Sequence, residues 1–185
     1  MRLLWMIAGV LGILLAHAGL LSYMGQPLAC ECGLALWYGG PALDPQNSQQ
    51  FADWYSLSHL IHGILFYALL TLLFPRLPLG VRILGAMTLE MSWELFENTD
   101  MVINHYRQQA LAEGYSGDSV LNSVGDVFSA GIGAFFASRS RVWVSIMLVI
   151  ALELFALYMI RDNLTLNIVQ FIHPIDALNA WQAGK

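Results

Sequence analysis

Long apolar runs, separated by short polar segments, make up most of the chain. Each run approaches the roughly 20 residues that a helix needs to cross the hydrocarbon core of a bilayer. We predict five transmembrane helices, at about residues 3–24, 56–74, 81–103, 119–137 and 142–160. The intervening segments are too short for a separate soluble domain, so residues 1–185 are expected to form a single transmembrane domain. The predicted fold class is all-α, a polytopic membrane helical bundle.

Two segments outside these runs have their own character. Residues 25–56 are rich in turn residues and interfacial aromatics such as Trp37 and Trp54, and we expect part of this loop to fold over the mouth of the bundle. The tail, residues 162–185, is amphipathic and predicts a helix on the membrane surface.

The first run resembles a signal peptide, but it continues to Met24 without a polar region, which favours a retained helix. Within it, His17 is expected to bond neighbouring backbone.

The basic residues are distributed unequally between the connecting segments. If the five spans alternate, one side carries Arg2, Arg76, Arg82, Arg139 and Arg141. The other side carries Arg107, Arg161 and Lys185. The positive-inside rule then places the N-terminus in the cytoplasm and the C-terminus outside. The predicted location is the cell inner membrane, with loop 25–56 in the periplasm.

Composition agrees with a membrane protein and excludes one class of partner. Of 185 residues, 57 % are hydrophobic and 11 % charged, whereas soluble domains carry about 25 % charged residues. The net charge of −5 provides no basic footprint for phosphates, so no nucleic-acid partner is expected. Cys30 and Cys32 are separated by one residue, which is a poor spacing for a conventional disulfide. A structural role, a strained bridge, a metal site and a redox role all stay open for this pair.

Span three carries three carboxylates. Glu90, Glu94 and Glu97 are spaced four and three apart, so one helical face presents all of them. An ionised residue at the centre of a membrane helix costs about 2.5–3.5 kcal/mol on insertion scales, so such residues usually face a protein interior and mark function. Asn98 follows directly and adds a polar amide.

Two further spans place polar groups at the same depth. His59 and His62 occupy the first two turns of span two, and Asp118, Asn122 and Asp126 are spaced by four at the start of span four. Under the predicted topology, both sets and the glutamates of span three lie in the periplasmic halves of their helices. We therefore predict one polar site beneath the periplasmic membrane face.

Three interpretations of this site are open. Imidazole and carboxylate together suit a divalent metal such as zinc, iron or manganese. The candidate ligands are His59, His62, Glu90, Glu94, Asp118 and Asp126. Acid–base catalysis without a metal is the second interpretation, with Glu94, Glu97 and His62 as the candidate catalytic groups. The third is a polar core that only fixes helix packing.

Four sequence blocks resemble one family across nearly the whole chain. They are Ala52–Gly63, Trp93–Thr99, Tyr115–Asp126 and Tyr158–Asn167, and they include Trp-Glu-x-x-Glu-Asn-Thr and Gly-Asp-Ser-x-x-Asn-Ser-x-Gly-Asp. They resemble the uncharacterised alphaproteobacterial inner-membrane family described as domain of unknown function 2585. The resemblance implies a multi-pass inner-membrane protein and brings no established activity.

A looser similarity is to VanZ-like membrane proteins. His59, Glu94 and the pattern Asp118-x-x-x-Asn122-x-x-Gly125 match that family in order and helix placement. VanZ-like proteins are linked to the cell envelope and to glycopeptide tolerance.

These features lead to one expected function and two alternatives. The expected function is an envelope enzyme, a hydrolase or transferase, that acts on a lipid or lipid-linked substrate at the periplasmic leaflet. Its partners would be membrane lipids. The first alternative is a cation- or proton-binding or transport protein, which the apolar inner halves of spans two to four disfavour. The second is an accessory or assembly subunit of a larger membrane complex, docked through the small residues of span four.

Overall fold

The computed structural model describes residues 2–184, and these residues form eight helices and no strand. The helices are α1 (Arg2–Tyr23), α2 (Ser56–Leu73), α3 (Leu79–Glu97), α4 (Asp100–Tyr106), α5 (Val120–Arg139), α6 (Val142–Ile160), α7 (Leu164–Ile172) and α8 (Asp176–Gln182). Met1 and Lys185, the ends of the predicted domain, lie outside the described residues. The all-α prediction is confirmed.

Four of these helices are long and apolar enough to cross a membrane: α1 from Leu3, α2, α5 and α6. The fifth long helix, α3, has 19 residues and carries Arg82 together with the three glutamates. Large apolar side chains on α1 and α6 face outward, and Leu15 and Trp143 are 73 % and 61 % exposed. Such surfaces suit contact with lipid. The fold is thus that of a helical membrane bundle, while the number of spans and their orientation stay predictions.

Helices α2 and α5 form the centre of the bundle because glycines let their backbones touch. A Cβ atom at Gly63 would collide with the carbonyl oxygen of Ala130, and one at Gly133 would collide with that of Leu60. Helix α3 packs against both helices through a small apolar core that includes Ile83. Helix α1 contacts α3 and α5, and α6 lies beside α2. The centre of the bundle is therefore formed by the three helices that carry the predicted site.

The helix predicted over residues 81–103 is divided in the structure. Helix α3 starts after Pro78 and ends at Glu97, and α4 starts at Asp100. Asn98 lies at the break, where its side-chain Nδ2 donates to the backbone carbonyl oxygen of Glu94 at 3.0 Å and to Asp118 Oδ2 at 2.7 Å. The Asp118 amide in turn donates to Asn98 Oδ1 at 2.8 Å. This exchange binds the end of α3 to the segment before α5 and redirects the chain.

The long first loop covers the ends of the helices. The backbone amide of Val120 donates to the oxygen of Pro27, and Asn122 Nδ2 donates to the oxygen of Gln50 at 2.7 Å. Cys30 and Cys32 are joined in a disulfide, with their Cα atoms 5.1 Å apart.

The tail contains two helices, α7 and α8, and packs onto the bundle. His105 Nε2 on α4 lies 2.7 Å from the oxygen of Phe171, and Gln170 Nε2 donates to Asn179 Oδ1 at 2.8 Å. Glu153 of α6 accepts hydrogen bonds from the first amides of α7, at Leu164 and Thr165. These contacts bring residues 162–172 to the same end of the bundle as the predicted site.

Candidate functional site

His59 is the centre of a buried polar cluster formed by α2, α3 and α5. Its Nδ1 lies 2.5 Å from Glu90 Oε1 and 3.1 Å from Glu94 Oε1, and its Nε2 lies 3.8 Å from Asp126 Oδ2. The spacing of four between Glu90 and Glu94 puts both carboxylates on the face of α3 that meets α2. All four side chains are buried. Three helices thus direct ionisable groups to one point.

His62 extends this cluster towards the surface. Its Nδ1 lies 3.1 Å from both oxygens of Glu90. The rings of His59 and His62 are perpendicular, with centroids 5.4 Å apart, and the Trp93 ring lies 6.1 Å from that of His62. Glu90 therefore orients both imidazoles at once.

The cluster contains two groups of potential metal ligands. One consists of His59, His62 and Glu90, and the other of His59, Glu94 and Asp126, with the ligand atoms of each group within 4.8 Å of one another. Nitrogen and carboxylate oxygen donors together suit zinc, iron or manganese. The residues present therefore fit a divalent metal.

Hydrogen bonding within the cluster leaves one acceptor unsatisfied. A single proton on His59 Nδ1 cannot serve both glutamates, and Glu94 Oε1 is buried without a hydrogen-bond partner among the described residues. Buried acceptors are normally satisfied. A cation in contact with Glu94 Oε1 would supply the missing interaction.

Asp118, Asn98 and Asn122 form a separate outer layer. Asp118 is bonded by Asn98 and by the Tyr115 hydroxyl, which donates to Oδ1 at 2.9 Å. Burial raises the pKa of Asp118, and the hydrogen bonds from Asn98 and Tyr115 oppose that shift. The structure does not bring Asp118 into either ligand group, since it precedes α5 and is held by the end of α3. Asn122 holds the first loop instead of the cluster.

Several contacts in and beside the cluster were not predicted from the sequence. Ser56 donates to Asp126 Oδ1 at 2.6 Å, and Ser123 donates to Glu94 Oε2 at 2.5 Å. The prediction for His17 is wrong, because its Nε2 lies 2.7 Å from Ser123 Oγ on α5 and not at neighbouring backbone. The spacing of the serines could have indicated these contacts. Ser56 lies three residues before His59, and Ser123 lies three residues before Asp126, so each serine shares a helical face with a member of the cluster. The role of His17 has no such signal.

Asp53, just before α2, is a further residue to which the sequence interpretation gave no role. It is fully buried and accepts hydrogen bonds from the amides of Ser48 at 2.7 Å and Tyr55 at 2.9 Å. Burial nevertheless raises its pKa. Asp53 fixes the turn that leads from the first loop into the His59 helix.

A cavity of about 650 Å³ opens beside His59 and His62. Its walls come from α2, α3 and α5, from the loop segments 42–49 and 109–118, and from residues 162–172 of the tail. The described residues that line it include no lysine or arginine. Its acidic residues are Asp44, Glu97, Glu113, Asp118, Asp126 and Asp162. Its larger apolar residues are Leu65, Phe66, Trp93, Leu164, Ile168, Phe171 and Ile172.

Two acids in the cavity wall are paired with tyrosines. Tyr55 donates to Asp162 Oδ2 at 3.1 Å, and Gln182 Nε2 donates to Asp162 Oδ1 at 3.1 Å. Burial raises the pKa of Asp162 to about 6, although these hydrogen bonds oppose the shift. Glu97, at the end of α3, lies beside the hydroxyl of Tyr106. Glu97 is thus part of the cavity and of neither ligand group.

Comparisons with known proteins identify the family. The family described as "Protein of unknown function (DUF2585)" matches residues 21–184. A UPF0314 protein of Sphingopyxis alaskensis is 47 % identical, with 97 % of this chain and 95 % of the relative covered. UPF0314 proteins of Rhizobium meliloti and Brucella anthropi are 45 % and 43 % identical, covering 98 % and 95 % of this chain and 91 % and 89 % of the relatives. No solved structure matches. The chain therefore belongs to the DUF2585 family, as its sequence blocks predict.

Proposed function

We propose that this protein is an enzyme of the cell inner membrane that hydrolyses, or transfers a group from, a lipid or lipid-linked substrate at the periplasmic leaflet. In this proposal a divalent metal is held by the ligand group His59, Glu94 and Asp126. One observation carries the proposal: two ligand groups share His59, and their members His59, His62 and Asp126 line a cavity that has both acidic and apolar residues.

The lining of the cavity supports an amphiphilic substrate. Leu65 and Phe66 on α2 and Ile168 and Ile172 on α7 contribute apolar surface next to the polar cluster. Binding sites of this size commonly combine apolar walls with a few convergent polar groups. A lipid could then place its chain against the apolar wall and its head group near His62.

The chain's own residues have separable tasks in this proposal. A metal bound here would supply Lewis-acid activation of water or of a substrate oxygen. Glu90 orients both imidazoles, as carboxylates do for metal-bound histidines. Glu97 lines the cavity outside the ligand groups, and it is the candidate to accept a proton from attacking water or substrate. His62 keeps its Nε2 free of Glu90 and can carry that proton.

The apolar packing below the cluster favours the enzyme over a transport protein. Ile83, Ala86 and Ala134 are buried there, and Met6 and Leu70 pack against them. A pathway for ions through the protein requires polar or hydrated groups along it. This apolar core lies on the helices that would have to provide them.

The experiment combines metal analysis with a lipid assay. Purified protein would be analysed for zinc, iron and manganese, and then incubated in vesicles of total lipid extract from the source bacterium with mass-spectrometric detection of new species. We expect stoichiometric metal and lipid turnover for the natural protein. The His59→Gln/His62→Gln double variant should lose both, and Glu97→Gln should lose only turnover.

The exposed Glu31 provides a control, and Glu31→Gln should leave both readouts unchanged. Unaltered metal content in the double histidine variant would contradict the metal site. Bound metal without any change in the lipids would contradict the enzyme and favour cation binding alone.

A further inference from the structure

Three tyrosines and three acids line the same cavity as His59. Tyr55 is hydrogen-bonded to Asp162, Tyr115 to Asp118, and the Tyr106 hydroxyl lies beside Glu97. We refer to the residues Tyr55, Tyr106, Tyr115, Glu97, Asp118 and Asp162 as the tyrosine wall. The rings of Tyr106 and Tyr115 are 5.9 Å apart at 88°, and Phe171 lies 5.4 Å from Tyr106.

The tyrosine wall is acidic, and the basic side chains that share its cavity are the two imidazoles of His59 and His62. No lysine or arginine is among the described residues that line the cavity. The hydroxyls of Tyr55 and Tyr115 donate hydrogen bonds to Asp162 and Asp118 but add no positive charge. An anionic head group would be repelled here, and a neutral sugar would leave the negative charge uncompensated. The wall favours a cationic group, and aromatic faces beside carboxylates are well suited to an organic ammonium.

Gln109 independently indicates a ligand in the same cavity. It lines the cavity and is only 7 % exposed. Its Nε2 has no hydrogen-bond partner among the described residues. Leaving a buried amide donor unsatisfied is unfavourable, because its lost hydrogen bond to water is not replaced. An acceptor oxygen on a bound molecule would remove that cost.

We propose that the tyrosine wall binds the organic ammonium group of an amphiphilic substrate, and that Gln109 donates a hydrogen bond to an oxygen of the same head group. This inference rests on the proposed function and names its substrate class: an amphiphile whose head group carries both a cationic nitrogen and an acceptor oxygen. The reacting bond would then face His62 and the ligand groups.

The first test compares probes that share a six-carbon chain. The natural full-length protein, in a sugar-free polyoxyethylene detergent, would be titrated calorimetrically with hexyltrimethylammonium, hexanesulfonate and hexyl glucoside. Because an ammonium group is attracted to aromatic faces and to carboxylates, we expect the ammonium probe to bind about tenfold more tightly than the other two. Equal or tighter binding of the sulfonate or the glucoside would overturn the proposal.

The second test uses matched variants. Glu97→Gln combined with Asp162→Asn should weaken binding of hexyltrimethylammonium at least about tenfold. The control, Asp100→Asn with Asp176→Asn, removes two exposed acids outside the cavity and should bind like the natural protein. A correctly folded cavity variant with unchanged affinity would overturn the role of the wall. If it fails to fold, the probe comparison on the natural protein still decides.

Gln109 has its own readout. Gln109→Leu should weaken binding of dihexanoyl phosphocholine several-fold and leave that of hexyltrimethylammonium unchanged, because only the first probe offers an acceptor oxygen. The neighbouring Gln108, exposed and outside this cavity, provides the control Gln108→Leu. Equal affinities of the two Gln109 forms for the phosphocholine would overturn the role of Gln109.

All titrations would be run on metal-free and metal-loaded protein. Failure of the enzyme proposal appears as absent metal or absent lipid turnover. Failure of the ammonium proposal appears as absent probe selectivity.

Discussion

A methyl group added at Gly63 should damage the fold and the site together. The new Cβ atom would collide with the carbonyl oxygen of Ala130, a backbone atom that cannot rotate away. Helices α2 and α5 would have to separate at this crossing. His59 lies one turn before Gly63, and Asp126 lies one turn before Ala130. The collision therefore lies directly beside the pair that joins the two helices at the site.

The expected cost follows from two opposing effects. Replacing glycine by alanine inside a helix normally stabilises it by about 0.5–1 kcal/mol. Overpacking that forces backbone to move costs about 1–3 kcal/mol, and a rigid carbonyl favours the upper end. The net destabilisation should be about 2 kcal/mol, which lowers the melting temperature of a chain of this size by about 4–8 °C.

The site should respond to the same movement. His59 Nε2 and Asp126 Oδ2 are 3.8 Å apart. A separation of the helices would lengthen this distance and move Asp126 away from the other members of its ligand group. Metal retention should fall with stability.

Thermal unfolding and metal content of purified Gly63→Ala are the measurements. Gly12→Ala is the matched control, because Gly12 is a helical glycine of α1 with nothing within 4 Å of its added Cβ. The control should melt at the natural temperature or slightly above it. A Gly63→Ala protein as stable as the control, with full metal content, would refute the close packing of α2 on α5.

Three further predictions test other parts of the structure. The pKa of Asp162 is raised by burial from 3.8 to about 6, so its ionisation opposes folding. The free energy of unfolding should therefore fall by on the order of 3 kcal/mol as the pH rises from 3.8 to about 6. In thermal melts at a series of pH values, Asp162→Asn should remove this dependence, whereas the control Asp176→Asn should keep it. His17→Leu should cost about 0.5–1.5 kcal/mol in thermal unfolding, because Ser123 loses the hydrogen bond with His17 and keeps only the one to Glu94, and His17→Gln should recover part of that loss; equal losses would contradict the bond. Glu90→Gln should weaken metal binding by about 10–100-fold in chelator competition, since both imidazoles lose their orienting carboxylate, and unchanged affinity would argue against that role.

The part of the site that depends on helical periodicity could be predicted from the sequence. A spacing of four puts Glu90 and Glu94 on one face, and His59 sits where α2 meets that face. The cost of ionised groups in lipid directs such faces inward. For these reasons the meeting of α2, α3 and α5 could be expected before any coordinates were known.

The remaining features depend on contacts between residues far apart in the chain. Asn98 ends α3 because it exchanges hydrogen bonds with Asp118, 20 residues later. His17 contacts Ser123, which is 106 residues away in the sequence, and no local sequence pattern predicts that pairing. The continuous apolar character of residues 81–103 therefore predicted one helix where the structure has two.

The unsatisfied acceptor in the cluster supports our proposal of a metal site over a polar core that only fixes packing. A core of that kind gains specificity when every buried group is paired, and a partly satisfied network is costly in low dielectric. Here Glu90, Glu94 and Asp126 surround His59, and Glu94 Oε1 has no donor even though Ser123 satisfies the other oxygen. A hydrogen-bonding residue in place of Glu94 could fix the packing without this excess of acceptors. The cluster therefore has the composition that the proposed metal site requires, and the cavity beside it is lined by further acidic residues.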